Sequence, residues 1–286
     1  MRSSFEGQFS KGVERREIID KAYALAQEII KRTQIEETDF SGIYSPEEIA
    51  KDRGYVARRA AEFKKDLEKI ETNPENPKLG VIFEAIVVAA REWFGKNAQM
   101  IKTSKYDDVA NGIDVIAELP KKEKNYAGEV GLAVDVTFSN EFEDEIDRIK
   151  KEIEEGKLPK IKYFESRQRK KGSIPDVVRV IVCASKETVM KLAETLLTAL
   201  KNPQNLFEHQ FQFQALDEII FQLRAFEEYA RLLGKNDLAE RYKKNLTLMR
   251  VVKKERLETV TDQHERDLMV DRLEDYLSSS LKTGEN

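Results

Sequence analysis

The sequence predicts an α/β fold in which a mixed sheet, built from the middle of the chain, is flanked by helical segments at both ends. Three observations carry this. Apolar residues recur at helical spacing before about residue 71 and again from Asn202 onward, whereas the middle alternates short β-branched runs with charged helical stretches. Breaker clusters such as Asn73-Pro74-Glu75-Asn76-Pro77 fall between these regimes. The chain therefore divides into an N-terminal helical segment (1–75), an α/β core (76–201) and a C-terminal helical region (202–286).

Taken in order, residues 12–38 predict an amphipathic helix, with Val13, Ile18, Ile19, Ala22, Leu25, Ala26, Ile29 and Ile30 on one side. Ser41-Gly42-Ile43-Tyr44-Ser45-Pro46 ends it. Ser45 then caps a second helix that runs to about Glu71, with Pro46 at its first position and Glu47 and Glu48 in its first turn. A third helix is expected over 78–96. Strands follow over about 99–104, 112–119 and 129–138, with Asp107-Asp108 read as a turn, the alternative being that they approach a bound metal ion. A charged helix over 140–156 leads to strands at Lys160–Glu165 and Val177–Ala184. Ser185 caps the next helix, with Thr188 where a capping box would carry Glu. Beyond Asn202 the chain is helical, with a broad apolar stripe from Phe207 to Tyr229 and a helix end at Leu232-Leu233-Gly234.

Composition bounds the function. Charged residues make up 36% of the 286 and the apolar set 40%, with a net charge of −4. No apolar run is long enough to span a bilayer, no secretory h-region opens the chain, and the lone Cys183 has no internal partner. A soluble cytoplasmic protein with no membrane role is the expectation. The charges are unevenly placed. Glu141–Glu155 holds eight acids and three bases, whereas Lys157–Lys171 holds seven bases and one acid. Within the second stretch Lys160, Arg167, Arg169, Lys170 and Lys171 are candidate phosphate contacts, the alternative being a solvated loop beside an acidic helix.

The sharpest signal is three acids inside three apolar runs. Glu84 is the only charge in Leu79–Ala90, Asp114 lies in Gly112-Ile-Asp-Val-Ile-Ala117, and Asp135 lies in Val130–Phe138. Asp is depleted in strands, and a buried carboxylate costs several kcal/mol unless compensated. One such acid is commonly paired with a base. Three in neighbouring elements point to a shared cation, and oxygen donors favour Mg²⁺ or Mn²⁺. Strand alternation puts Val130, Leu132, Val134, Val136 and Phe138 on a core face, and Asp135 on the opposite face with small residues.

At these residues the chain resembles the PD-(D/E)XK nuclease superfamily over roughly 77–184: a helix bearing Glu, a strand with Gly-x-Asp, a strand with Asp-x-Thr, then a helix and a further strand. The resemblance implies a mixed-sheet core of order αβββαβ and metal-dependent phosphodiester hydrolysis. It sets Asp114 and Asp135 at the family's first and second motif acids, Glu84 at its helical glutamate, and the carbonyl of Val136 as a further metal ligand. Thr137 stands where the family has lysine. A threonine hydroxyl carries no charge, so a lysine from a neighbouring element is expected to substitute. Lys162 is the first candidate and Lys150 the second.

The expected function is a metal-dependent nuclease acting on DNA. The alternative is an inactive nuclease-like fold that binds nucleic acid or assembles complexes, which Thr137 favours. The Phe207–Tyr229 stripe either packs on the core or pairs with a second copy as a homodimer. His209 and His264 share no metal-ligand spacing and read as ordinary helix histidines, and Trp93 reads as a packing residue.

Overall fold

The computed structural model describes residues 2–67, 75–119, 129–137, 142–166 and 170–281, with the side chains of 2–12, 66–67 and 129–131 left out. Helix α1 (Arg2–Thr33) buries Ile19, Ala22 and Ala26, spaced three and four apart, against the later helices Asn76–Ala89 and Lys186–Ala199. It ends earlier than the periodicity suggests, because Ile35 turns away to donate its N–H to the Lys102 carbonyl at 3.2 Å. A 3-10 turn (Glu37–Phe40) leads to α2 (Pro46–Leu67). There Glu48 N–H donates to Ser45 Oγ and Ser45 N–H donates to Glu48 Oε2, both at 3.2 Å, which completes a reciprocal capping box. The expected extension to Glu71 lies outside the described residues.

Helix α3 (Asn76–Ala89) is shorter than expected. The chain leaves helical geometry at Ala90 and re-forms as a 3-10 turn (Arg91–Phe94), where Trp93 Nε1 donates to the Leu206 carbonyl at 2.8 Å. Strand β1 (Gln99–Lys102) follows. The expected turn at Asp107-Asp108 is instead a two-turn helix, α4 (Lys105–Asn111). Ser104 caps it by accepting from Asp107 N–H, and Gly112 at φ 60° closes it. Consequently β2 starts at Val115 rather than at Gly112, and runs to Leu119. Next come β3 (Glu129–Thr137), α5 (Phe142–Glu155), β4 (Ile161–Glu165), β5 (Lys171–Ile174) and β6 (Arg179–Cys183). The rest is helical: α6 (Lys186–Ala199), α7 (Gln204–Phe207), α8 (Phe211–Leu232), α9 (Asn236–Leu257) and α10 (Leu268–Ser280).

The main sheet has the order β1-β2-β3-β6. β1–β2–β3 is an antiparallel meander, and β6 returns parallel to β3 after the α5 crossover. Strands β4 and β5 form a separate hairpin, so the expected strand at 160–165 does not join the main sheet. Its Ile161 and Phe164 pack on Ile101, Ile116 and Ala133, covering one face of the sheet. The other face carries Met100, Val115, Ala117, Leu132 and Val134 and meets α3 within the principal core.

The apolar stripe of α8 is buried inside the chain: Phe211, Phe213, Leu216, Ile219, Leu223, Phe226 and Tyr229 are all at most 4% exposed. Most of these side chains pack into the principal core. Polar residues on α8 do a further job. Gln222 donates to the carbonyl of Ile181 and accepts its N–H at 2.7 and 2.8 Å, and Glu218 accepts the N–H of Cys183 at 2.9 Å. Side chains thus supply the ladder that the outer edge of β6 would otherwise offer to another strand. Among the described residues no helix is long and apolar enough to cross a membrane.

Candidate metal and phosphate site

Because β2 begins only at Val115, Asp114 sits just ahead of the ladder, with its side chain free to curl across the sheet end. Asp114 Oδ2 accepts the N–H of Val136 at 2.9 Å. Thr103 holds the preceding turn in place, donating its N–H to the Asp114 carbonyl at 3.1 Å and its hydroxyl to the Ile113 carbonyl at 2.5 Å. Ladder alternation orients Val136. Ala133 N–H donates to Val178 and the Thr137 carbonyl accepts from Ala184, both on the β6 side. The N–H and C=O of Val136 therefore point the other way, toward β2 and Asp114.

Asp135 lies between the carboxyl groups of Asp114 and Glu145. Its Oδ2 is buried with no hydrogen-bond partner among the described residues. Burial first, then the Asp114 carboxylate, then Glu145 of α5 push its pKa well above the ordinary carboxylate range. Glu145 is itself held by Arg148 at 3.0 Å and Arg179 at 3.6 Å, and Arg179 also pairs with Glu152 at 3.2 Å. Gly112 makes room for this arginine cluster: a Cβ there would collide with Arg148 Nη1.

On the other side of Asp114 lies a residue that the sequence reading missed. Lys102, only 2% exposed, places its Nζ 2.5 Å from Glu84 Oε1, 2.9 Å from Asp108 Oδ2 and 3.6 Å from Asp114 Oδ1. Burial alone would lower its pKa, but Asp114, Asp108 and Glu84 together outweigh burial and raise it, so the ammonium is permanently charged. Glu84 is pushed up to about 7, burial prevailing over the pull of Lys102. Asp108 is also raised by burial, with Lys102 opposing. A signal for Lys102 existed in the strand pattern, since it shares a face with the core residue Met100 two positions earlier.

Asp114 and Asp135 therefore come together, with the carbonyl of Val136 turned to the same side. Glu84 joins them through Lys102 rather than directly. Among the described residues, no three Asp, Glu, His or Cys side chains stand ready-made around one ion. Lys162, expected to supply the missing lysine, does not reach this cluster. Its Nζ is 2.5 Å from Asp52 Oδ2 and lies over the rings of Tyr44, Tyr106 and Tyr163 at 4.8, 5.4 and 5.4 Å. It was drawn away because β4 belongs to the separate hairpin. Lys150 is half-buried on α5. Of the candidate phosphate contacts, Lys160 and Lys170 are exposed. Lys171 is committed to the Asp39 carbonyl at 3.0 Å and Glu165 at 3.4 Å. Arg167 and Arg169 lie outside the described residues.

Other titratable side chains make contacts within the fold. Asp107 accepts the N–H groups of Lys162 and Tyr163 at 2.7 and 2.9 Å and so ties the hairpin to α4. Cys183 is buried beside Glu218, His264 bonds Asp262, and His209 Nδ1 accepts the N–H of Phe211. A cavity of about 1090 Å³ lies at the far end of β2, between Leu119 and α9, away from the acids. No protein-family model, no curated protein and no solved structure matches this chain.

Proposed function

We propose that the chain is a divalent-metal-dependent phosphodiesterase of the PD-(D/E)XK type acting on nucleic acid. The observation that carries this reading is Asp135: a buried carboxyl with an unpartnered oxygen, set against Asp114 where the sheet opens. A carboxyl raised in this way holds a proton where it faces Asp114, and a hard cation is the partner that would let both ionise. Asp114, Asp135 and the Val136 carbonyl fit such an ion as an all-oxygen donor set, suited to Mg²⁺ or Mn²⁺. When bound, the ion would polarise a phosphoryl oxygen and acidify a water. The order of a glutamate-bearing helix, an antiparallel meander and a parallel strand after a helical crossover supports the same reading.

The chain's own residues supply the rest. Lys102 brings a fixed positive charge to the sheet end where Thr137 brings none, held in place by Glu84 and Asp108 at 2.5 and 2.9 Å. A preorganised cation of this kind stabilises negative charge that develops on a phosphate. The Val136 N–H fixes the Asp114 carboxylate through Oδ2, and Oδ1, 3.6 Å from Lys102 Nζ, is the oxygen that would meet the ion.

The test is cleavage of plasmid and single-stranded DNA in Mn²⁺. Asp135→Asn and Asp114→Asn should each reduce the rate at least about 100-fold while the protein stays folded. Undiminished cleavage by both would refute the assignment. One observation favours the second reading, an inactive binding module: Lys102 already neutralises part of the acid cluster. Binding of DNA without cleavage in any divalent metal would select it.

A further inference from the structure

Among its described side chains, helix α2 is buried only near its start. Ile49 and Asp52 are buried and Tyr55 and Val56 are half-buried, whereas every residue from 57 to 65 is exposed, Phe63 included at 66%. An exposed helical arm of this kind gains little from packing, so its side chains are free to serve a partner. Between Lys51 and Lys65 it carries six bases against two acids. One of those acids, Asp52, is taken by Lys162 at 2.5 Å, and the other, Glu62, by Arg59 at 2.7 Å.

The bases are ordered as well as numerous. Lys51, Arg58 and Lys65 recur every seven residues and form one stripe, spaced about 10 Å apart along the axis. Arg53 and Lys64 form a second stripe. Between the two, on the side opposite Ile49 and Asp52, lie only Ala50, Gly54, Ala57 and Ala61. The result is a low ridge with long cationic side chains on both flanks.

Its position matters most. α2 packs on α4 through the rings of Tyr55 and Tyr106, 6.2 Å apart, and α4 lends Asp108 to the Lys102 cluster. Through Asp52 and Lys162, α2 also adjoins the hairpin that exposes Lys160 and Lys170.

The geometry points to α2 as a nucleic-acid-binding arm, its two basic stripes straddling a phosphodiester backbone beside the acid cluster. This rests on the hydrolase reading only for the substrate's identity. Exposed guanidinium and ammonium groups in register along a helix are complementary to a regularly charged polyanion and give binding without base readout.

The test is binding of fluorescent single- and double-stranded DNA to the full chain in EDTA, where no cleavage can intervene. The variant is Lys51→Gln/Arg58→Gln/Lys65→Gln. All three positions are exposed, so its thermal unfolding should match wild type. It should bind at least about tenfold more weakly, with the slope of log K against log salt smaller by about 2 for single strands and 3 for duplex. A control, Lys243→Gln/Arg250→Gln/Lys254→Gln on α9, removes the same charge and should bind nearly as wild type. Equal weakening in both variants would reduce the effect to net charge and overturn the proposal. So would wild-type affinity in the α2 variant, or a preference for anionic lipid vesicles over DNA. If wild type cleaves DNA in Mn²⁺ while the α2 variant binds unchanged, the arm fails and the metal site stands. If binding depends on α2 but no metal supports cleavage, the arm stands and the hydrolase reading fails.

Discussion

Glu218 sits on α8, 1% exposed, with Oε2 accepting the Cys183 N–H at 2.9 Å and Oε1 accepting Gln214 Nε2 at 2.9 Å. Burial pushes its pKa from 4.5 up to about 8, against the hydrogen bonds that favour the charged form. The sign follows from linkage. Below about pH 4.5 the group is protonated in both states, and stability is at its fullest. As pH rises from there to about 8, the unfolded chain releases a proton that the folded protein keeps, so stability falls. At 1.36 kcal/mol per pH unit the loss is about 3 kcal/mol at pH 7 and approaches 5 kcal/mol above pH 8. Glu218→Gln removes the titration. Its amide oxygen can accept the Cys183 N–H, and Gln214 can turn its own oxygen to meet the new NH₂. The variant should therefore be more stable than wild type at pH 7 by about 1–3 kcal/mol, after a repacking cost of about 1 kcal/mol. Urea unfolding at pH 5, 7 and 8.5 reads this, because the difference between the two proteins isolates Glu218 from other buried acids. A gain that grows with pH is expected. A constant loss at all three pH values would refute the reasoning.

Further outcomes follow from the same geometry. Lys102→Met leaves Glu84, Asp108 and Asp114 without their shared cation, and should cost about 3–5 kcal/mol in metal-free urea unfolding. Added Mn²⁺ should recover part of that stability but not the DNA cleavage. Lys162→Met, which empties the tyrosine cage, should leave cleavage within about threefold of wild type at saturating substrate, read by initial rates. Gly112→Ala should lose about 1–3 kcal/mol, because φ is 60° there and the new methyl would displace Arg148; hydrogen exchange should report the loss first in α4.

Asp114 and Asp135 were legible in the sequence because an acid inside an apolar run has few places to go, and strand alternation assigned Asp135 its face. Glu84 was legible as inward-facing for the same reason, but not its partner. A lysine at a strand end ordinarily runs its stem outward to water, and only the shared face with Met100 marks Lys102 as buried. Helix α4 hid behind two aspartates that look like a turn, although Ser104, Asp107 and Gly112 are cap residues at the right spacing. β5 carried no signal: Lys-Gly-Ser-Ile has one apolar residue, and pairing with β4 rather than its own propensity makes it a strand. Missing that hairpin is what misassigned Lys162. The apolar stripe of α8 leaves packing and pairing both open in the sequence, and Gln222 and Glu218 within it become meaningful only once β6 is seen to be an edge strand.

The proposed hydrolysis requires a divalent ion seated at the end of the sheet. Crystals grown in Mn²⁺ and measured at its absorption edge test this directly. An anomalous peak within about 2.5 Å of the Asp114 and Asp135 carboxylates and the Val136 carbonyl is the predicted result. A map with no manganese there at millimolar concentration, and Lys102 still the sole cation among these acids, would contradict it.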